Sequence, residues 1–214
     1  MLIRWHGHSC FEIGSDSGIT LVTDPHDGKS IGIKQPVVAA NIVLMSHDHF
    51  DHNCERIVQG LDKKLVTKAG SHTAREIPIL GVATWHDEEE GKKRGQNIAF
   101  RFEVDGMRLC HLGDLGQVLD DAQSEKIGPV DILFIPVGGT FTLDAEMAWK
   151  VVRKLKPRIV IPMHFRIGGL SLSIAPVDGF LAKARKDSVV KVGNEIEMTT
   201  EDLPQEQEIW VFSL

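Results

Sequence analysis

The segment MSHDHFDHN, residues 45–53, holds three histidines and two aspartates within nine residues. The apolar run NIVLMS leads into it, and because a chain leaving a strand is extended, His47 and His49 can point to the same side. Asp51 and His52 follow where the backbone turns, so they can face a second point nearby. Imidazole nitrogens and carboxylate oxygens are ligands for zinc, and they also bind manganese or iron. Four candidate ligands are too many for one open catalytic metal, but they suit two.

Three other strand-like runs also end in metal-ligand residue types. GVATW ends at His86, MRLC leads into His111 and Asp114, and RIVIPM ends at His164. Strand ends on one edge of a sheet bring together side chains from distant parts of the chain. The pattern predicts that these residues converge, although a lone histidine after a strand is as often an exposed or hydrogen-bonded side chain. The residues alone leave the roles of His86 and His164 open.

Short strand-like runs alternate with loops along the chain, and few segments have helical spacing. LIRWH, CFEIGS and ITLVTDP predict an antiparallel start. CERIVQGL, residues 54–61, predicts a helix that stops at Gly60, and residues 143–156 predict the best helix, with Thr142 as its cap and Pro157 after its end. The other predicted strands are NIVLMS, KLVTKAG, EIPILGVATWH, NIAFRFEVDG, MRLCHLGD, DILFIPV, RIVIPMH, EIEMTT and EIWVFSL, and the other predicted helices are LDDAQSEKIG and APVDGFLAKARKD.

Composition predicts a soluble globular protein with a single domain, residues 1–214, because 42% of the residues are hydrophobic and 25% are charged. The net charge of -6 argues against nucleic acid as a partner, since phosphate-binding surfaces need a basic excess. The apolar runs are too short to cross a membrane and the N-terminus lacks a signal peptide, so we expect a cytoplasmic protein. Cys10, Cys54 and Cys110 are widely separated and odd in number, which predicts reduced, buried thiols.

The motif HDHFDH, followed in order by His86, Asp114 and His164, resembles the metallo-β-lactamase superfamily. GHSCFEI, TDP, HLGDLG, PVGGTFT and IPMH resemble its small UlaG-like branch of metal-dependent hydrolases. The resemblance covers nearly the whole chain. It implies an α/β fold, the four-layer αβ/βα sandwich, in which two β-sheets pack face to face with helices outside. It also implies a dinuclear metal site at one edge of the sandwich.

The resemblance assigns His47, His49 and His86 to the first metal and Asp51, His52 and His164 to the second, with Asp114 as the bridge. It implies two divalent ions, with zinc expected first and manganese or iron as alternatives. Two cations about 3.5–4 Å apart hold a bridging water and lower its pKa enough to supply hydroxide near neutral pH. Asp51 and Asp114 are the predicted catalytic residues, and Asp51 would orient the hydroxide and shuttle its proton.

Several other polar residues are candidates for roles around this site. Asp24, in TDP, resembles the first acidic motif of the superfamily, which supports the ligand loops by hydrogen bonding. His8 is expected either to line the site or to support it, and His111 to support it. The remaining histidines fit no ligand position and are expected in loops or at the surface; they are His6, His26 and His72.

The sequence indicates less about substrate recognition than about the metal site. The glycine-rich loop around Gly138 and Gly139 would present N–H groups to an anion, or it is an ordinary tight turn. Phe50 predicts a more apolar site wall. The possible anion partners are Lys92, Arg94 and Arg166.

Three classes of function are consistent with these residues. The first is a metal-dependent hydrolase that cleaves an ester-, lactone- or phosphodiester-type bond in a small molecule. The alternatives are a di-iron redox enzyme and a non-catalytic metal-dependent binding or regulatory protein. An RNA-processing nuclease is disfavoured, because the chain is too short for the inserted domain that such enzymes carry. No membrane partner is expected, and a homo-oligomer is compatible with the sequence.

Overall fold

Two β-sheets of six and eight strands form the centre of the protein. The structure is a computed structural model that describes residues 1–214. The fourteen strands are β1 (Leu2–Trp5), β2 (Phe11–Gly14), β3 (Thr20–Thr23), β4 (Ile42–Leu44), β5 (Lys64–Val66), β6 (Gly70–Ala74), β7 (Ile77–Trp85), β8 (Gln96–Val104), β9 (Met107–His111), β10 (Ile132–Pro136), β11 (Ile159–Met163), β12 (Val189–Lys191), β13 (Glu195–Glu197) and β14 (Glu208–Val211). The α-helices are α1 (Asp121–Ile127), α2 (Ala145–Leu155) and α3 (Asp178–Leu181), and 3₁₀ turns lie at Lys29–Ile31, Glu55–Ile57, Lys186–Ser188 and Thr200–Asp202.

Both sheets are mixed, with an antiparallel part and a parallel part. The six-stranded sheet has the order β13-β1-β2-β3-β4-β5, and the eight-stranded sheet has the order β12-β14-β11-β10-β9-β8-β7-β6. β1, β2 and β3 pair antiparallel as predicted, whereas β9, β10 and β11 are parallel, so their carboxyl ends share one edge. The two-sheet α/β architecture confirms the predicted fold class, although the sequence pattern does not predict β6 and β12.

The two sheets pack face to face through aromatic side chains. Phe11 of β2 and Phe134 of β10 lie on opposite sheets, with their ring centroids 4.6 Å apart. Both belong to one core cluster of 46 buried residues. Every residue of β10, ILFIP, is buried, as expected for a parallel strand covered on both faces. Burying each such large apolar side chain stabilises the fold by roughly 1.5–3 kcal/mol.

Irregular chain covers the outer face of the six-stranded sheet. A separate cluster of six buried residues lies there, made of Cys10, Val22, Val38, Ala40, Val43 and Val58. All three cysteines are free and buried, which confirms their predicted state. The three α-helices instead lie in connections between strands of the eight-stranded sheet.

The helix predicted over residues 54–61 is wrong. Only Glu55–Ile57 forms a single 3₁₀ turn, and the backbone is already extended at Val58. The N–H of Gln59 then donates to the carbonyl oxygen of Val38, 2.9 Å away. Pairing with this neighbouring segment replaces the hydrogen bonds that a longer helix would make, so tertiary contact overrides the local pattern.

The predicted cap of α2 is also wrong. Asp144, not Thr142, caps the helix, because its side chain accepts a hydrogen bond of 2.8 Å from the N–H of Met147. Thr142 is instead buried, and its hydroxyl has no hydrogen-bond partner. The end of the helix agrees with the prediction, since Lys156 adopts the left-handed conformation and Pro157 follows.

The other helices are short. α3 occupies four residues of the predicted helical run 175–187, and the longest helix, α2, has 11 residues. No helix in the structure has both the length and the apolar character needed to span a bilayer.

Asp131→Asn is expected to lower the free energy of unfolding by about 1–2 kcal/mol, because a bidentate ion pair joins β9 to the residue just before β10. Asp131 accepts hydrogen bonds of 2.8 and 2.7 Å from Nε and Nη2 of Arg108. Arg108 holds the pKa of Asp131 below 3.8, so this stabilisation is present above that pH and is lost as the pH falls through the lower, folded pKa.

Urea unfolding at one fixed zinc concentration measures this effect. The difference between wild type and Asp131→Asn should shrink as the pH falls below 3.8. Asp121→Asn is the control, since it removes an almost fully exposed partner of Lys154 and should leave the midpoint nearly unchanged. Equal effects of the two substitutions at pH 7 would contradict the prediction.

Candidate metal centre

Four strands end at one point of the structure, and the residues that follow them meet there. β4, β7, β9 and β11 precede His47, His86, Asp114 and His164. Oδ2 of Asp114 lies 3.1 Å from Nε2 of His164 and 3.2 Å from Nε2 of His86. It also lies 3.3 Å from Nε2 of His52 and 3.9 Å from Nε2 of His47. The structure therefore gathers residues that are up to 117 positions apart around one carboxylate.

Two groups of potential ligands flank Asp114. In the first, ligand atoms of His47, His49 and His86 all lie within 4.8 Å of one another. These are the three residues that the family resemblance assigns to the first metal. Their rings form a compact set, with the centroids of His47 and His49 4.5 Å apart.

The second group contains His8, Asp51, His52 and His164, whose ligand atoms also lie within 4.8 Å of one another. Three of them are the residues predicted for the second metal, and His8 is the addition. A third set of ligand atoms within the same limit links the two groups; its members are His47, His52 and Asp114.

The orientation of the histidines fits metal binding. Three of them use Nδ1 as a hydrogen-bond donor. His47 donates to Oγ of Ser46 at 2.9 Å, and His52 donates to Oδ2 of Asp24 at 3.0 Å. His86 donates to the carbonyl oxygen of Phe141 at 3.1 Å. When such a ring is neutral, Nε2 carries a lone pair and points into the cluster. Nε2 of His47, Nε2 of His52 and Oδ1 of Asp114 are buried without any hydrogen-bond partner. Buried lone pairs this close together are costly unless a cation lies between them, so the donor set suits divalent metal.

Asp24 supports the ligand loops by hydrogen bonding, as predicted. Its carboxylate accepts hydrogen bonds of 2.7 Å from both the N–H and the hydroxyl of Ser46, and one of 3.0 Å from His52. Burial raises the pKa of Asp24, but the hydrogen bond from His52 and nearby charges outweigh this and hold it below 3.8. A buried anion therefore fixes the ring orientation of His52 and, through Ser46, that of His47.

The carboxylates around His52 favour positive charge at that position. Burial lowers the pKa of His52, yet Asp114, Asp24 and Asp51 outweigh burial and hold it well above 6.5. Burial also raises the pKa of Asp114, but the surrounding histidines keep it well below 3.8. The carboxylates thus stabilise a cation here, whether it is a proton on His52 or a metal ion that replaces it.

His8 lies inside the cluster, fully buried, and contacts Asp51. Nε2 of His8 donates to Oδ2 of Asp51 at 3.1 Å. Burial, together with the nearby His164, lowers the pKa of His8 to about 3, so the ring is neutral and Nε2 carries its proton. His8 therefore both borders the second group and orients Asp51, and the sequence alone did not separate these two roles.

The remaining histidines stay outside the ligand groups. His111 donates from Nε2 to the carbonyl oxygen of Ser9 at 2.9 Å and accepts from the N–H of Gly113, so both of its nitrogens are occupied. His6 pairs with a glutamate and His72 with a main-chain carbonyl. His26 lies in a loop, one of the two expected positions, and it is fully buried.

A pocket of about 350 Å³ opens onto the cluster. Five predicted ligands line it, namely His49, Asp51, His86, Asp114 and His164. Phe50 is 57% exposed and Phe141 is 45% exposed, and both line the entrance. The apolar wall predicted from Phe50 is therefore present, and Phe141 extends it.

The glycine-rich loop beside the pocket is a tight turn. A Cβ atom on Gly138 would overlap the carbonyl oxygen of His164, so only glycine fits this close approach. The N–H of Gly139 already donates to the carbonyl oxygen of Leu143. These contacts favour the structural interpretation over the anion-binding one. Of the three predicted anion partners, only Arg94 lines the pocket.

Comparisons with known proteins show the family of this chain. The family model of the beta-lactamase superfamily domain matches residues 2–164. A UPF0173 metal-dependent hydrolase of Thermococcus onnurineus is 28% identical over 187 residues, which cover 76% of this chain and 84% of that protein.

Solved structures share the fold. One is the crystal structure of a Thermotoga maritima protein that is named as a zinc-dependent hydrolase of the metallo-β-lactamase superfamily. It is 38% identical to this chain, with a TM-score of 0.82, and the match covers 99% of this chain and 97% of that one. CmlA, a diiron β-hydroxylase from Streptomyces venezuelae, shares the fold alone, at 13% identity and a TM-score of 0.57, over 76% of this chain and 44% of that one. The family match over more than half of the chain, with the related structure that aligns along nearly all of it, shows that this chain belongs to the metallo-β-lactamase superfamily.

Proposed function

We propose that this protein is a hydrolase that binds two divalent metal ions, zinc by preference, and cleaves an ester-, lactone- or phosphodiester-type bond in a small molecule. The observation that carries the proposal is the pair of ligand groups that meet at Asp114. The names of the relatives support the reaction class, because they are metal-dependent hydrolases. The pocket of about 350 Å³ supports a small substrate.

The ligand sets follow from the two groups. The first ion would be held by His47, His49 and His86, and the second by Asp51, His52 and His164, with Asp114 shared between them. When bound, two such ions supply Lewis acidity and a nucleophilic water of lowered pKa. Nitrogen-rich sets with carboxylates suit zinc and also accept manganese or iron.

The protein's own groups orient the reaction and move protons. Asp51 lines the pocket, and its Oδ2 is held by Nε2 of His8, so its other oxygen is free to accept a proton from water and return it to the leaving group. Burial raises the pKa of Asp51, but the bonds and charges of His8 and His52 lower it below 3.8, so it is a carboxylate at neutral pH. The buried Asp24 keeps the ligand histidines aligned.

The two alternatives remain distinguishable by experiment. The redox alternative is considered because CmlA, a diiron β-hydroxylase, shares the fold. A redox enzyme would show iron occupancy and an oxidase signal. A metal-dependent binding protein would hold two metals without turnover.

The test is hydrolysis of phosphodiesters, lactones, thioesters and β-lactams by zinc-loaded and manganese-loaded protein, with the Asp51→Asn and Asp48→Asn variants beside it. Asp51→Asn should lower kcat/KM at least about 100-fold, because it removes a ligand and a proton acceptor. Asp48 lies in the same motif, but it is exposed and bonds to Asn53, so Asp48→Asn should keep activity within about twofold. No turnover on any substrate, with two zinc ions bound per chain, would contradict the proposal.

A further inference from the structure

Arg94 lies at the pocket entrance without an acidic partner. Its guanidinium carbon is 3.5 Å from the centroid of the Phe141 ring, and no ion pair or side-chain hydrogen bond engages it. A guanidinium placed over an aromatic face is held there, while the N–H groups in its own plane stay free to donate. Arg94 is therefore a positioned cation that faces the substrate pocket with its donors unused.

The loop that carries Arg94 is held in one conformation. The carboxylate of Asp87 accepts hydrogen bonds from four main-chain N–H groups, those of Glu89, Gly91, Lys93 and Arg94, at 2.7–2.9 Å. These bonds also hold the pKa of Asp87 below 3.8, against the effect of burial. Because Asp87 directly follows His86, the loop extends from a metal-ligand position to the entrance.

Phe141 connects the same cation to the metal site from the other side. Its carbonyl oxygen accepts the hydrogen bond from Nδ1 of His86 at 3.1 Å. Its φ of 59° lies in the left-handed region, which is strained for a bulky residue and persists only where surrounding contacts require it. The backbone of Phe141 thus orients a ligand, and its ring positions Arg94.

We propose that Arg94 binds an anionic group of the substrate, a carboxylate or a phosphate, while Phe50 and Phe141 contact the apolar part beside it. A guanidinium matches the geometry of both anions through paired N–H donors. This inference rests on the proposed hydrolase function and names its substrate class: a small anionic molecule with an apolar portion next to the bond that is cleaved.

Calorimetric titration of zinc-loaded protein tests the proposal without turnover. The probes are phenylacetate and benzylphosphonate, which distinguish carboxylate from phosphate recognition, and neutral phenylacetamide. Arg94→Gln removes the charge, and Lys92→Gln removes the same charge two residues away, outside the pocket lining. Arg94→Lys keeps the charge but loses the paired donors.

Arg94→Gln should weaken binding of at least one anionic probe about 10-fold or more, and binding of phenylacetamide less than twofold. Lys92→Gln should leave all three affinities within twofold of wild type, and Arg94→Lys should be intermediate. If Arg94→Gln still binds the anionic probes more tightly than phenylacetamide, the metal ions cause the anion preference, and the proposal is overturned. Failure of the wild-type protein to bind either anion would overturn it as well.

A kinetic pair separates this proposal from the proposed function. The 4-nitrophenyl monoester of adipate carries an anionic acyl group, and 4-nitrophenyl hexanoate is its neutral counterpart. Arg94→Gln should lower kcat/KM for the first about 10-fold, mainly through KM, and leave the second unchanged. Equal losses of kcat/KM for both esters would contradict only the proposed role of Arg94, and not the hydrolase function. Arg94-dependent anion binding without hydrolysis of these esters or of any substrate in the panel would contradict only the hydrolase function.

Discussion

Asp114→Asn is expected to empty the metal centre and to lower kcat/KM by more than about 100-fold. Loss of a group that only hydrogen-bonds to a metal ligand usually has a smaller effect. Oδ2 of Asp114 lies within 3.9 Å of Nε2 in four histidines. Asparagine has nearly the same shape, but it carries no negative charge, and its amide cannot bridge two cations. Both ligand groups therefore lose the carboxylate that joins them.

Zinc content per chain after dialysis, measured by mass spectrometry, checks this prediction together with kcat/KM on the substrate found by the panel. Circular dichroism should show a folded variant, because the substitution preserves volume in a buried site. Asp121→Asn is the matched control, since its carboxylate is exposed and pairs only with Lys154. An Asp114→Asn protein with full zinc content and full activity would overturn the ligand assignment.

Asp24→Ala is expected to have the second largest effect, on both stability and metal affinity. The substitution removes the acceptor of three buried hydrogen bonds, two from Ser46 and one from His52. Leaving these donors unpaired should lower the free energy of unfolding by about 3–5 kcal/mol. Because His52 and His47 lose their alignment, zinc affinity should fall about 10–100-fold.

Backbone strain also contributes to the loss of stability in Asp24→Ala, and the experiment must separate it from the loss of hydrogen bonds. Asp24 has a φ of 39°, in the left-handed region, which asparagine tolerates better than alanine. Asp24→Asn should therefore recover part of the stability but not the zinc affinity, since a neutral amide cannot replace the anion beside His52. Urea unfolding of metal-free protein and zinc titration with a competing chelator measure the two effects. Native zinc affinity in Asp24→Ala would show that Asp24 does not support the ligands.

Local pattern predicted the strands that carry the site, because their signals are strong. β4, β7, β9 and β11 are apolar runs bounded by polar residues, and each leads into a histidine or aspartate. The errors occur where local signals compete with tertiary contacts. The turn at Glu55–Ile57 stops short because Gln59 pairs with Val38, and Asp144 takes the cap predicted for Thr142.

The role of His8 illustrates what spacing along the chain cannot show. The sequence left two roles open for it, and its contact with Asp51 spans 43 residues. Arg94 and Phe141 are likewise separated by 47 positions and meet only through the fold. His26 was expected in a loop or at the surface, and nothing in its local sequence indicates that folding buries it.

The sequence by itself determined the two-sheet α/β class and the superfamily, together with the set of residue types suited to a metal site. The class and the superfamily follow from the resemblance of a whole series of motifs to a known family, and the residue types follow from the dense histidine motif. Only the tertiary structure decided which distant side chains share a cavity, which nitrogen of each histidine faces it, and which cation stands at its entrance. Such choices depend on how the two sheets pack and on where β-strand ends meet, and the resulting distances come from contacts between residues far apart in the chain.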